Sequence, residues 1–174
     1  MLKCAGLVAL SVAVLLTAGC GESEQEKRFH QELVEKALYD DVRKAGDAFL
    51  AANGAKPNVI TTASGLQYII LQTGQGPSPM IADAVRVNYK GWRIDGEVFD
   101  SSYEQGEPLI FPLKRVIKGW REALLGMQVG ARWRIFVPSG LAYGAISPSD
   151  KVPANSVLVF DIELLEIVPG EQVE

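Results

Sequence analysis

The stretch "AVRVNYKGWRIDGEVFDSS", residues 84–102, decides the fold. Val85, Val87 and Tyr89 alternate with Arg86, Asn88 and Lys90. A two-residue period with one apolar side is the pattern of a half-buried strand. Asp95-Gly96 follows, and glycine accepts the positive φ that a tight turn requires, so residues 84–100 read as a hairpin. Phe99 and Asp100 stand side by side at its end. A carboxylate directly after a large ring is either a loop group making an Asx turn before Ser101-Ser102, or a charge at the rim of an apolar pocket.

The flanking sequence extends the sheet. "GLQYIILQTG" (65–74) reads as a strand, broken off by Gly74, Gly76, Pro77 and Pro79. "VIKGWREALLGM" (116–127) reads as a short helix with Ile117, Trp120 and Leu124 on one face. "ARWRIFVP" (131–138) is a strand with Ala131, Trp133, Ile135 and Val137 on one side, and 139–156 is a long loop. "VLVFDIELLEIV" (157–168) closes the pattern, with Phe160, Ile162 and Leu164 alternating against Asp161 and Glu163. Strands dominate around one helix, which predicts an α+β fold: an antiparallel sheet whose apolar face covers that helix. On spacing alone, Trp120 is plain core or a pocket floor, and Tyr143 in "LAYG" caps a loop or reaches a site.

Upstream, "MLKCAGLVALSVAVLLTAGC" places Lys3 before an apolar run from Ala5 to Leu16. That is the form of a secretory signal, too short for a permanent membrane span. "LLTAGC" resembles the bacterial lipobox, with Thr17 where leucine is usual. It implies cleavage after residues 1–19 and lipid attachment at Cys20. Gly21 after the cysteine favours the outer membrane, on the periplasmic or the outer face. Residues 20–27 read as a polar tether. Residues 28–53 read as a helix, with Val34, Leu38, Val42, Ala45 and Phe49 in one stripe and Phe29, Leu33 and Ala37 beside it. A helix of this length needs a surface to cover, either its own domain or a partner such as a second copy. Residues 54–64 form a linker and 65–170 the main domain.

Composition excludes much chemistry. The 174 residues carry a formal net charge of −4, with neither a basic run nor a phosphate-binding glycine loop, so nucleic acid is not an expected partner. Cys4 and Cys20 are the two cysteines, and neither falls in the folded part. His30 is the one histidine, which removes a Ser-His-Asp triad, an HExxH zinc site and most transition-metal sites. No metal and no cofactor is expected.

"VNYKGWRIDGEVFDSS", "VIKGWREALLGM", "FVPSGLAYG" and "VPANSVLVFDIELLEI" resemble, in order and spacing, the FKBP-type peptidyl-prolyl cis-trans isomerases. The preceding "FLAANGAKPNVITTASGLQYIILQTGQG" is similar to the macrophage-infectivity-potentiator branch, which carries an N-terminal helical segment. The resemblance implies a strongly curved antiparallel sheet wrapped around one short helix, enclosing an apolar pocket for proline. It implies Trp120 as the floor and Tyr89, Phe99 and Phe160 as walls, with Leu109, Val116 and Val152 completing the pocket. The Ile117 N–H and the Tyr143 hydroxyl would bond carbonyls of the bound peptide, and Asp100 would lie beside the rotating amide. Gln105 stands where eukaryotic members carry an arginine that orients the aspartate. Leu109 replaces a frequent aromatic, and Lys151 replaces an isoleucine. The implied activity is isomerisation of Xaa-Pro bonds in exported or unfolded proteins, with macrolide immunosuppressants as inhibitors. A chaperone-like peptide-binding module or an assembly scaffold using the same pocket is the alternative.

Overall fold

Alternation in the central hairpin sets the whole sheet. A computed structural model describes residues 24–169, the side chains of 34 and 37–40 excepted. Its elements are α1 (Glu24–Gly54), β1 (Ile60–Thr61), β2 (Gln67–Gln72), β3 (Ala84–Arg93), β4 (Val98–Ser101), α2 (Ser102–Gln105), β5 (Leu109–Pro112), α3 (Lys118–Gly126), β6 (Arg132–Val137) and β7 (Leu158–Val168). Val85, Val87 and Tyr89 are buried while Lys90 is exposed. The sheet runs β1-β2-β6-β7-β3-β4, antiparallel throughout, with β5 pairing β3 as well. β3 pairs β7 along its length, from Ala84 opposite Val168 to Arg93 opposite Leu158. The hairpin closes over Arg93–Glu97 with Gly96 at φ 91°.

One face of the sheet holds α3. Trp120, Ala123, Leu124 and Met127 recur at three- and four-residue spacing and are buried against Val85, Val87, Ile135, Val137, Ile162 and Leu164. Fold class and architecture agree with the sequence reading.

The other face receives the C-terminal half of α1. Gly46 is buried, and a Cβ there would lie 2.7 Å from Val157 Cγ2, so only glycine allows this approach. The Phe49 and Phe136 rings lie 5.9 Å apart. At the helix end, Asn53 Nδ2 donates to Gln67 Oε1 at 2.9 Å, and Gln67 Nε2 donates to the Leu50 carbonyl at 2.9 Å. The C-terminal half of α1 packs on its own domain, whereas Phe29 and Leu33 stand 63% and 49% exposed.

Three differences from the sequence reading have local causes. α1 begins at Glu24, inside the expected tether of 20–27. Glu24 and Glu26 suit the positive end of a helix, and Lys27 pairs with Glu24 at 3.1 Å. The linker 54–64 contains strand β1, which pairs Ile60 with Tyr68 and Thr61 with Gln67. Residues 102–112, which the sequence pattern leaves without an element, carry α2 and β5. One is a single turn and the other a four-residue edge strand ending in Pro112, lengths at which periodicity gives no signal. The expected signal peptide of 1–19 and the expected lipid attachment at Cys20 lie outside the described residues.

Candidate functional site

The site arises where the edge of β3 changes partner. β4 pairs with Lys90, Gly91 and Trp92, and β5 with Ala84 to Val87. Between them the chain leaves the sheet through α2. Asn88 and Tyr89 therefore lack a strand neighbour on that side. Ser102, fully buried, fills the gap: its Oγ accepts the Tyr89 N–H at 2.9 Å and lies 3.3 Å from the Tyr89 carbonyl and from Asn88 Oδ1. A buried hydroxyl here replaces a ladder bond that would otherwise be missing.

β4 contains a bulge. Gly91 opposes Asp100 and Trp92 opposes Val98, so Phe99 is the extra residue. In a regular strand, neighbours point to opposite faces. The bulge lifts that rule, and Phe99 and Asp100 both line one cavity. Gly91 makes room for it. A Cβ there would stand 2.8 Å from both Phe160 Cε1 and Phe99 Cζ.

The cavity measures about 230 Å³. Trp120 forms its floor, 5% exposed, with the rings of Tyr89, Phe111 and Phe160 edge-on at 5.1, 5.5 and 5.3 Å. Phe99 packs edge-on against Phe160 at 5.6 Å. Such edge-to-face pairs hold ring positions beyond what burial alone would do. The Trp120 Nε1 is buried without a hydrogen-bond partner among the described residues. Val116, Ile117, Tyr143, Asp100 and Arg115 complete the lining.

The polar groups at the rim are fixed. Tyr89 Oη donates to Asp100 Oδ2 at 2.6 Å, and Gln105 Nε2 donates to Asp100 Oδ1 at 3.2 Å. The glutamine thus bonds the aspartate at the position where eukaryotic relatives carry arginine. Burial first, and then the hydrogen bond to Asp100, raise the Tyr89 hydroxyl above the ordinary tyrosine range. Tyr143 is raised too, by burial and then by the Asp100 charge. Both remain donors at neutral pH. The loop bearing Tyr143 is closed by Gly144 N to Ser139 O at 2.8 Å and Asn155 N to Gly144 O at 2.7 Å. Among the described residues, the Tyr143 hydroxyl and the Ile117 N–H have no acceptor.

Eight residues expected from the sequence meet here: Tyr89, Phe99, Asp100, Val116, Ile117, Trp120, Tyr143 and Phe160. Two do not. Val152 is 2% exposed within the core, its N–H on the Ser149 carbonyl and its carbonyl on Ser147 Oγ. Leu109 is half-buried on β5, packed against the core opposite Val87. Phe111, two residues along the same face of β5, takes the wall position. Sequence reasoning missed Phe111 because it missed β5, and no pattern marked Arg115. The cavity offers apolar walls, a bonded carboxylate and, at its rim, the Tyr143 hydroxyl, Ile117 N–H and Arg115 guanidinium, unpartnered among the described residues. The hydroxyl–carboxylate pair within it, Tyr89 with Asp100, holds its proton more tightly than a free tyrosine and is therefore no activated nucleophile, so the cavity's chemistry is binding and orientation.

Comparison with known proteins agrees with this geometry. Residues 76–165 match the family described as FKBP-type peptidyl-prolyl cis-trans isomerase, and residues 16–70 match the domain amino terminal to it. The peptidyl-prolyl cis-trans isomerase Mip of Coxiella burnetii is 53% identical over 120 residues, which is 69% of this chain and 52% of that protein. The outer membrane protein MIP of Legionella longbeachae is 42% identical over 146 residues, 80% of this chain and 63% of that one. The chain thus spans between half and two thirds of the length of these curated relatives. The crystal structure of FkpA from Escherichia coli superposes with a TM-score of 0.75 at 35% identity, covering 86% of this chain and 75% of that one.

Proposed function

The chain belongs to the FKBP-type peptidyl-prolyl cis-trans isomerase family, and on that premise we propose that residues 65–170 accelerate rotation about Xaa-Pro bonds in exported or unfolded polypeptides. The observation that carries this reading is the aromatic cavity floored by Trp120, with the Tyr143 hydroxyl and the Ile117 N–H at its rim.

Rotation about a peptide bond faces a barrier of about 18–20 kcal/mol, because the planar amide is stabilised by resonance. Uncatalysed exchange at proline takes tens to hundreds of seconds. A millionfold acceleration asks for roughly 8 kcal/mol. The planar amide places negative charge on oxygen, which water stabilises, and the twisted amide places less. A cavity walled by Tyr89, Phe99, Phe111 and Phe160 removes that water and so favours the twisted form. The Ile117 N–H and the Tyr143 hydroxyl hold carbonyls on one side while the other side turns. Asp100 lies at the edge, fixed by Tyr89 and Gln105, where its charge acts on the rotating amide dipole. No bond breaks, so no nucleophile and no cofactor takes part.

The isomerase reading is tested by the cis-to-trans rate of a short Leu-Pro peptide with purified protein. Acceleration, blocked by a macrolide immunosuppressant, supports it; a cavity that binds peptide without changing the rate supports the chaperone-like alternative. For location, we infer the cell envelope, with residues 1–19 as signal and Cys20 as lipid anchor. The name of the Legionella longbeachae relative, an outer membrane protein, supports that location. The exposed Phe29 and Leu33 support a homodimer through residues 28–53.

A further inference from the structure

Two charged side chains line the aromatic cavity, and their situations differ. Asp100 has one oxygen on Tyr89 and the other on Gln105. Arg115 is exposed and has neither a carboxylate nor any other acceptor among the described residues. The backbone beneath it is rigid. Arg121 Nε donates to the Leu113 carbonyl at 3.0 Å, and its Nη2 donates to the carbonyls of Lys114 and Val116 at 2.9 and 3.3 Å. Carbonyls on both sides of Arg115 are thereby clamped. Lys114 and Lys118 flank it, exposed and likewise unpaired among the described residues. Glu122, one turn along α3 from Lys118, instead accepts from Ser64 Oγ at 2.7 Å. Residues 114–118 thus carry three exposed cations, of which Arg115 lines the pocket, in a chain whose net charge is −4.

We propose that Arg115 is a specificity residue of this pocket, and that the protein prefers substrates with glutamate or aspartate beside the proline. The proposal rests on the isomerase reading. A guanidinium at the lip of an apolar cavity attracts a carboxylate more strongly than it would in open water. Its planar fork matches a carboxylate in two hydrogen bonds, and a clamped loop loses little freedom on forming them. Cations serving an anionic membrane need not line a cavity. Arg115 shares its cavity with Trp120 and Tyr143, which favours substrate over lipid.

The test compares kcat/KM on matched peptides at low ionic strength: Ala-Glu-Pro-Phe against Ala-Gln-Pro-Phe, and Ala-Leu-Pro-Glu against Ala-Leu-Pro-Gln. Each ratio cancels any uniform loss of activity. In one of the pairs the acidic peptide is favoured roughly two- to fivefold, the strength of an exposed ion pair. That ratio falls to about one in Arg115→Gln and inverts in Arg115→Glu, and it weakens with salt as the Debye length shrinks. Ratios unmoved by both substitutions, with Ala-Leu-Pro-Phe still turned over, overturn the proposal while leaving the isomerase reading intact. If those ratios hold and Arg115→Gln instead loses binding to phosphatidylglycerol vesicles, the loop serves a membrane and the proposal also fails. No acceleration of Ala-Leu-Pro-Phe by the unmodified protein removes the isomerase reading itself, and the proposal with it.

Discussion

Gly91→Ala adds one methyl group to the back of the proposed proline pocket. Its Cβ would stand 2.8 Å from Phe160 Cε1, 2.8 Å from Phe99 Cζ and 2.9 Å from Phe160 Cδ1. Ordinary contact begins near 3.4 Å, so both rings must retreat by about 0.6 Å. Gly91 has no positive φ, and alanine is the better strand residue there by about 0.5–1 kcal/mol. Overpacking costs about 1–3 kcal/mol. The net loss is then about 1 kcal/mol, or roughly 2–4 °C in Tm for a chain of this size. Activity should suffer more than stability, because the free space into which these rings can retreat is the cavity of about 230 Å³ itself. We expect kcat/KM on a Leu-Pro peptide to fall at least tenfold, about 1.4 kcal/mol of transition-state binding. The assay is peptide isomerisation beside thermal denaturation of the same sample. A variant with the expected drop in Tm and kcat/KM within twofold of the unmodified protein refutes the reasoning, since it would show that the aromatic wall is not what excludes or admits the prolyl ring.

Tyr143→Phe removes one hydroxyl and leaves the ring, so kcat/KM should drop about two- to tenfold with little change in Tm, and Asp100→Ala should cost at least as much; an Asp100→Ala protein as fast as the unmodified one would return Asp100 to the role of a loop residue. Because the folded state raises the hydroxyl pKa of Tyr89 and Tyr143, it holds their protons more tightly than the unfolded chain. Their contribution to stability is therefore whole below the unfolded tyrosine value near 10 and is lost as pH rises through and above it. Urea denaturation at pH 8 and pH 11 reads this, and Tyr89→Phe should flatten the difference. In activity, the two tyrosines should give no inflection between pH 7 and 9, and one that vanished in Tyr143→Phe would contradict the shift. Deleting residues 24–41 should leave short-peptide kcat/KM within twofold, while a deletion through residue 53 uncovers Phe136 and orphans Gln67, and should cost about 2 kcal/mol or more in urea denaturation.

What was legible in the sequence follows from the length over which a pattern persists. β3, β6, β7 and α3 each run six residues or more with one face apolar, so alternation or helical spacing names both the element and its buried side. α2 and β5 have four residues each, and no period can be counted over one turn. Losing β5 lost Phe111, although it completes the ring around Trp120. The start of α1 is hidden for another reason: "GESEQEK" is polar enough for either a loop or an exposed helix, and the charge pattern at a helix start is weaker than apolar spacing. Family resemblance placed eight pocket residues together, yet it also placed Leu109 and Val152 there. Both face the core from the same strand and loop as lining residues, and where along them the cavity opens is settled by packing.

The adjacency of Phe99 and Asp100 is the case in which local rules had to fail for the site to exist. Strict alternation would send one of them to the far face of the sheet. The bulge brings both to one cavity, and the bulge is stable only because the surrounding structure bears its consequences. Gly91 leaves space for the displaced ring. Ser102 takes the Tyr89 N–H that has lost its strand partner. Tyr89, so anchored, reaches Asp100 with its hydroxyl at 2.6 Å and Trp120 with its ring at 5.1 Å. One residue therefore ties the carboxylate at the rim to the indole at the floor. A continuous edge strand along β3 would have been the simpler sheet, with every backbone group paired and no opening. The break at residues 102–108 gives up that pairing over two positions, and the cavity lies behind it.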